Sequence, residues 1–103
     1  MTDTDPNDPD ILRAKLNLET ARISWIELQR FYARGRVVRV DADLDLMDVA
    51  VALTEDDKER VDQWMSADRM GDVSPDQAQA WFDQEHHLWT VVVAPWVLVQ
   101  DRD

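Results

Sequence analysis

The stretch Leu88 to Gln100, LWTVVVAPWVLVQ, is the longest apolar run in the chain and constrains the fold more than any other segment. It is too short for a membrane helix, which needs roughly 17 to 25 mainly apolar residues, and Thr90 and Pro95 interrupt it. The run is strand material, because Val91, Val92, Val93, Val97 and Val99 are stiff at the first side-chain torsion and favour an extended backbone. A half-exposed strand alternates apolar with polar residues. Here both faces are apolar from Leu88 to Ala94, as in an interior strand covered on both sides. Pro95 has no N–H to give a ladder, so the strand is expected to bend, bulge or change partner there. Left bare, such a segment pairs with copies of itself. Other elements, or another chain, must cover it.

The 103 residues suffice for one modest core. The reading is a short acidic leader over residues 1–8, followed by a single domain over 9–103. Without cysteine the chain has no disulfide, thiolate metal site or cysteine nucleophile. The opening MTDTDPNDPD lacks the apolar core of a secretory signal, and no membrane span is present, so a cytoplasmic location is expected.

Asp8-Pro9 reads as an N-cap with proline at the first helical position. No glycine or proline follows until Gly35, a C-terminal stop. The expected first helix is therefore about 25 residues and roughly 38 Å long. On a helical projection Ile11, Ala14, Leu18, Ala21, Trp25, Leu28 and Tyr32 form one apolar stripe. A second stripe of Leu12, Leu16, Ile23 and Ile26 lies opposite and calls for a second contact, which an oligomer interface would supply.

Beyond Gly35, Arg36 to Val40 reads as a short strand, and Asp43 or Asp45 caps a second helix through Leu53 with Leu46, Val49, Ala50 and Leu53 inward. Thr54 with Asp57 resembles a capping box opening a third helix with Val61, Trp64 and Met65 inward. Gly71 to Val73 gives a turn and at most a very short strand. Ser74-Pro75-Asp76-Gln77 is a strong start for a fourth helix, expected to reach His86 and to bury Ala78, Trp81 and Phe82. The predicted class is α+β, with about four helices around a two- or three-stranded sheet in the order α-β-α-α-(β)-α-β. Trp25, Trp64, Trp81 and Trp89 are expected as core anchors. Trp96, with Val97, Leu98 and Val99, has no evident cover within the chain and has the composition of a protein contact.

KLNLETARISWIELQRF at Lys15 to Phe31, LDLMDVA at Leu44 to Ala50, QAQAWF at Gln77 to Phe82 and VVVAPWVLVQ at Val91 to Gln100 resemble a small bacterial family catalogued as domain of unknown function 2288. The resemblance implies a single-domain, prokaryotic, cytoplasmic protein. It carries no activity, cofactor or catalytic residue.

Two groupings could carry chemistry. Asp41, Asp43, Asp45 and Asp48 place alternate carboxylates after a strand, as a hard cation requires. A calcium loop of the EF-hand type is excluded, because its glycine position is held by Leu46 and its glutamate position by Ala52. Helix capping explains these aspartates without a metal. His86 and His87 point about 100° apart if helical, which makes joint chelation awkward. A metal-dependent hydrolase using the aspartates with His86 or His87 is one alternative function.

The other alternative is a nucleic-acid-associated protein. The net charge of −11 disfavours it, although residues 11–40 hold seven bases against two glutamates, a net +5. Arg13, Arg22, Arg30 and Arg34 do not share one side of the predicted helix and make no track for phosphates. The order of the first elements also matches a winged helix-turn-helix, but its reading helix, DDKERVDQWMSAD, is rich in acids. The leading expectation is a non-enzymatic interaction module without cofactors. Its partner is itself or another protein, met through Leu12, Leu16, Ile23 and Ile26, through Trp96 to Val99, or through both.

Overall fold

The computed structural model describes residues 9–102, with the side chain of Pro9 excepted. The leader expected over 1–8, including the Asp8 cap, lies outside them. The fold is α+β, as its sequence indicates, but richer than expected: the described residues form five helices and a five-stranded mixed sheet.

The main departure is in the first third. In place of one long helix, α1 (Pro9–Glu19) ends before β1 (Ala21–Ser24), and α2 (Trp25–Ala33) begins immediately after it. The Thr20 hydroxyl donates back to the Leu16 carbonyl at 2.8 Å, while the Thr20 N–H takes the Asn17 carbonyl. Such local bonds compete with helix continuation. The Ser24 hydroxyl then caps α2 by accepting from the Ile26 N–H at 3.2 Å. Propensity alone does not enforce this break. What β1 gains is an antiparallel partner, because Ala21 to Ser24 sit opposite Thr90 to His87.

After β2 (Val37–Val40) come α3 (Leu46–Thr54), capped by Asp45, and α4 (Lys58–Ser66), capped by Asp57 rather than Thr54. The two-residue β3 (Met70–Gly71) precedes α5 (Pro75–Asp83), capped by Ser74 as its sequence signals. The last elements are β4 (His87–Val93) and β5 (Trp96–Gln100).

Helices α2 to α5 stop in the same way. The second residue past each helix is left-handed: Gly35 (φ 70°), Asp56 (57°), Asp68 (59°) and Glu85 (51°). At each stop the following N–H reaches back to the last turn: Arg36 to Phe31, Asp57 to Ala52, Arg69 to Trp64 and His86 to Trp81. This is the Schellman arrangement, and only one of the four positions uses glycine. It ends α5 three residues earlier than expected, leaving His86 in a loop and His87 in β4.

The strand order is β1-β4-β5-β2-β3. Pro95 does break the apolar run, with a cis Ala94–Pro95 peptide, but the break is a hairpin turn that sends β5 back along β4. On its other side β5 runs parallel to β2, with Val37 to Val40 opposite Val97 to Gln100. The half of the run expected to lack cover is therefore the middle strand. Val97, Leu98 and Val99 are 4%, 0% and 0% exposed, which corrects their reading as surface contacts. Of that segment only Trp96 is open, at 40%.

Alternate strand residues feed two cores on opposite faces of the sheet. One gathers Val40, Val91 and Leu98 under α1, α3 and α4, with Leu16, Leu46, Val49 and Ala50 at its centre. The other gathers Val37, Leu88, Val97 and Val99 under α2 and α5, around Trp25, Leu28 and Trp81. Burial of each such side chain contributes about 1.5–3 kcal/mol. Leu16 is buried and Leu12 packs against the first core, so the second stripe of the predicted helix is covered by its own chain at these positions. The large apolar side chains that α1 leaves exposed are instead Ile11 and Leu18, two members of the first stripe. Met65 and Phe82, expected inward, are half exposed. Trp64 and Trp89 are partly buried, and both pack against the first core.

Candidate docking groove

The second face of the sheet has less cover than the first. Nine residues give α2 a length of about 13.5 Å, whereas seven residues of β4 extend about 24 Å, so the far end of β4 runs out from under it. The result is a groove of about 680 Å³ with Ile23 of β1, Thr90 and Val92 of β4 and Val97 of β5 in its wall and floor. Helix α2 supplies the opposite wall through Ile26, Glu27, Arg30 and Phe31, with Leu28 beneath. Val92 is 56% exposed and Ile26 46%, both large apolar side chains left in solvent. The Arg30 guanidinium lies 4.8 Å from the Phe31 ring centre, a contact that keeps the arginine stem along the wall.

Ile23 and Ile26, expected as contact residues, both line this groove, although Ile23 belongs to a strand and only Ile26 to a helix. Phe31 and Val92 were not indicated by the sequence pattern. Val92 sits in a run apolar on both faces, and only the small helical length available on one face would have singled it out.

The aspartate grouping does not form a cation site. Asp45 caps α3 by accepting from the Met47 N–H at 2.8 Å, and its other oxygen takes Arg13 at 2.6 Å. Asp48 takes the second arm of the same guanidinium, also at 2.6 Å. The hydrogen bond to Asp48 comes first among the causes that raise the Arg13 pKa above its ordinary value. Asp41 accepts from the Asp43 N–H at 3.3 Å, closing the turn before α3. The grouping is thus a two-armed clasp between α1 and α3 plus two local caps. Among the described residues no group of three or more histidines, aspartates or glutamates is placed to hold a metal ion.

His86 is not helical. Its ring stacks on Trp81 with centroids 6.3 Å apart, and its Nε2 meets Asp101 Oδ1 at 2.7 Å, fixing the chain beyond β5. His87 is exposed at the start of β4. The four arginines expected on the first helix are also dispersed. Arg13 is in the clasp, Arg22 lies 5.7 Å from the centre of the Trp89 ring, Arg30 lies over Phe31, and Arg34 ends α2. Neither the hydrolase nor the nucleic-acid alternative gains support from this arrangement.

Among the described residues no helix is long and apolar enough to cross a membrane. Comparison with curated proteins returns no match. Among solved structures the chain is similar to the NMR solution structure of PA1075 from Pseudomonas aeruginosa. Identity is 46%, with 99% of this chain and 94% of that one covered and a TM-score of 0.78. Residues 11–101 match the family described as "Protein of unknown function (DUF2288)", and the chain belongs to that family.

Proposed function

We propose that the chain is a non-enzymatic protein-interaction module of the cytoplasm, working as a homodimer or as a subunit of a larger assembly, with the α2–β4 groove as its docking surface. One observation carries this reading: Val92 and Ile26 stand 56% and 46% exposed in a single groove that also holds Ile23, Leu28, Phe31 and Val97, with Glu27 and Arg30 at its edge. Scattered apolar residues on a surface are ordinary, whereas a contiguous apolar depression rimmed by charge marks a contact site. Of the side chains with catalytic potential, Asp41, Asp45 and Asp48 are engaged in local bonds and in the Arg13 clasp, and His86 in its pair with Asp101.

Light scattering across micromolar concentrations tests the homodimer form. The expected result is a dimer mass that falls to the monomer in Val92→Asp. The variant should keep a cooperative melt, because the residue is exposed and aspartate in a strand costs only about 1 kcal/mol. A wild-type monomer at every concentration overturns the homodimer form.

A further inference from the structure

Helix α2 borders the groove with Ile26, Glu27, Arg30 and Phe31. These four span about 140° of its circumference at roughly 100° per residue. Their arrangement is symmetric: Ile26 and Phe31 are equidistant from the midpoint between Leu28 and Gln29, and so are Glu27 and Arg30. The symmetry holds around the helix as well as along it, because Arg30 and Glu27 lie inside the stripe and Ile26 and Phe31 at its two margins. Glu27 and Arg30 are both exposed, and neither has an ion-pair partner among the described residues.

A surface that binds a copy of itself across a two-fold axis must carry its own complement, so that residue i meets j while j meets i. The α2 stripe meets that condition in charge. We propose that the partner at the groove is a second copy of this chain, its α2 packed antiparallel to the first about a two-fold axis between Leu28 and Gln29. The proposal rests on the groove being the docking surface. In this arrangement Glu27 meets the partner's Arg30 and Arg30 the partner's Glu27. Ile26 of both copies flanks these pairs along one margin, and Phe31 of both along the other. With helix axes about 8–10 Å apart, the partner helix adds cover on the face that has only α2 and α5, beside the exposed Val92. The contact region also suits an acidic chain. Residues 21–34 carry Arg22, Arg30 and Arg34 against Glu27 alone, so two molecules each of charge −11 meet where they are least acidic.

The test is a dilution series of the full chain by analytical ultracentrifugation. Glu27→Arg alone and Arg30→Glu alone each create two like-charge contacts, and each should weaken the dimer about ten-fold. The double variant Glu27→Arg/Arg30→Glu regenerates both pairs with reversed sign and should return to within about three-fold of wild type. Both side chains are exposed, and melting midpoints confirm that each variant folds; Glu27→Gln replaces any that does not and should show a smaller loss. If the double variant does not recover, or the single variants bind as wild type while Val92→Asp abolishes association, the antiparallel arrangement is overturned and the groove remains the docking surface. A wild-type monomer throughout the series overturns the arrangement and the homodimer together.

Discussion

The backbone N–H of Trp25 donates to the carbonyl oxygen of His86 at 2.8 Å, joining the first residue of α2 to the residue just before β4. The first N–H groups of a helix have no partner inside it. Here one is satisfied from 61 positions away along the sequence, and the next by the Ser24 hydroxyl. The helix begins at Trp25 because its free donors are met there, which fixes β1 as a strand and turns the Trp25 ring into the second core.

Ser24→Ala removes the cap and leaves the Ile26 N–H to solvent. The expected loss is about 1 kcal/mol, with Ser24→Asp recovering most of it. Urea unfolding monitored by tryptophan fluorescence measures both. An unchanged midpoint in Ser24→Ala would show that the His86 carbonyl alone holds the start of α2.

Glu85 adopts φ 51° where the equivalent stop of α2 uses glycine at φ 70°. A side chain in this region costs about 1 kcal/mol or more, and glycine returns part of that through greater freedom of the unfolded chain. Glu85→Gly should therefore raise stability by about 0.5–1 kcal/mol. Gly35→Ala should lower it by a similar amount, and for backbone reasons alone, since an added Cβ meets nothing within 4 Å. Thermal melts of the two variants should move in opposite directions, and movement in the same direction would contradict the assignment.

Gln100 is fully buried at the end of β5, and its amide donates to the carbonyls of Asp41 at 2.9 Å and Leu44 at 2.7 Å. It anchors the turn that leads into α3. Gln100→Leu keeps most of the volume and removes both bonds; the Asp41 carbonyl keeps the Leu44 N–H at 3.0 Å, so the Leu44 carbonyl is the one left without its donor, for an expected loss of about 1–3 kcal/mol. Chemical denaturation measures this loss, and an unchanged midpoint would mean that the Leu44 carbonyl finds another donor.

Leu98 and Trp96 are two residues apart on one strand and should respond very differently to truncation. Leu98→Ala opens a cavity in the first core and should cost about 2–5 kcal/mol. Trp96→Ala removes a side chain 40% exposed and should cost much less. Comparable losses at the two positions would place β5 nearer the surface than its pairing requires.

The parts of the fold visible in the sequence are those set by short-range bonds. Asp45 and Ser74 accept from N–H groups two or three residues ahead, so the starts of α3 and α5 follow from local chemistry, whereas α4 opens at Asp57, three residues beyond the expected Thr54 cap. Gly35 marks the end of α2 for the same reason. The parts that did not show depend on distant partners. Thr20 to Ser24 contains no glycine or proline and continues an apolar helical spacing; only the free edge of β4 makes it a strand. Pro95 signals a break but not its direction, and whether the chain turns back or leaves depends on β2, about sixty residues earlier. For the groove, apolar spacing pointed to Ile23 and Ile26. Its floor at Val92 depends on how far a nine-residue helix reaches along a seven-residue strand.

The position of β5 also shapes how the molecule comes apart. Leu98 faces one core while Val97 and Val99 face the other, so neither helical layer can detach while the strand stays in register. The two layers should therefore melt as one cooperative unit, with amides of β2, β4 and β5 sharing the slowest hydrogen exchange and opening only with the whole sheet. A lesion beneath α3 would then loosen the wall of the groove on the far side, and binding at the groove would slow exchange under α3. The middle strand gives this small protein a mechanical link between its two faces.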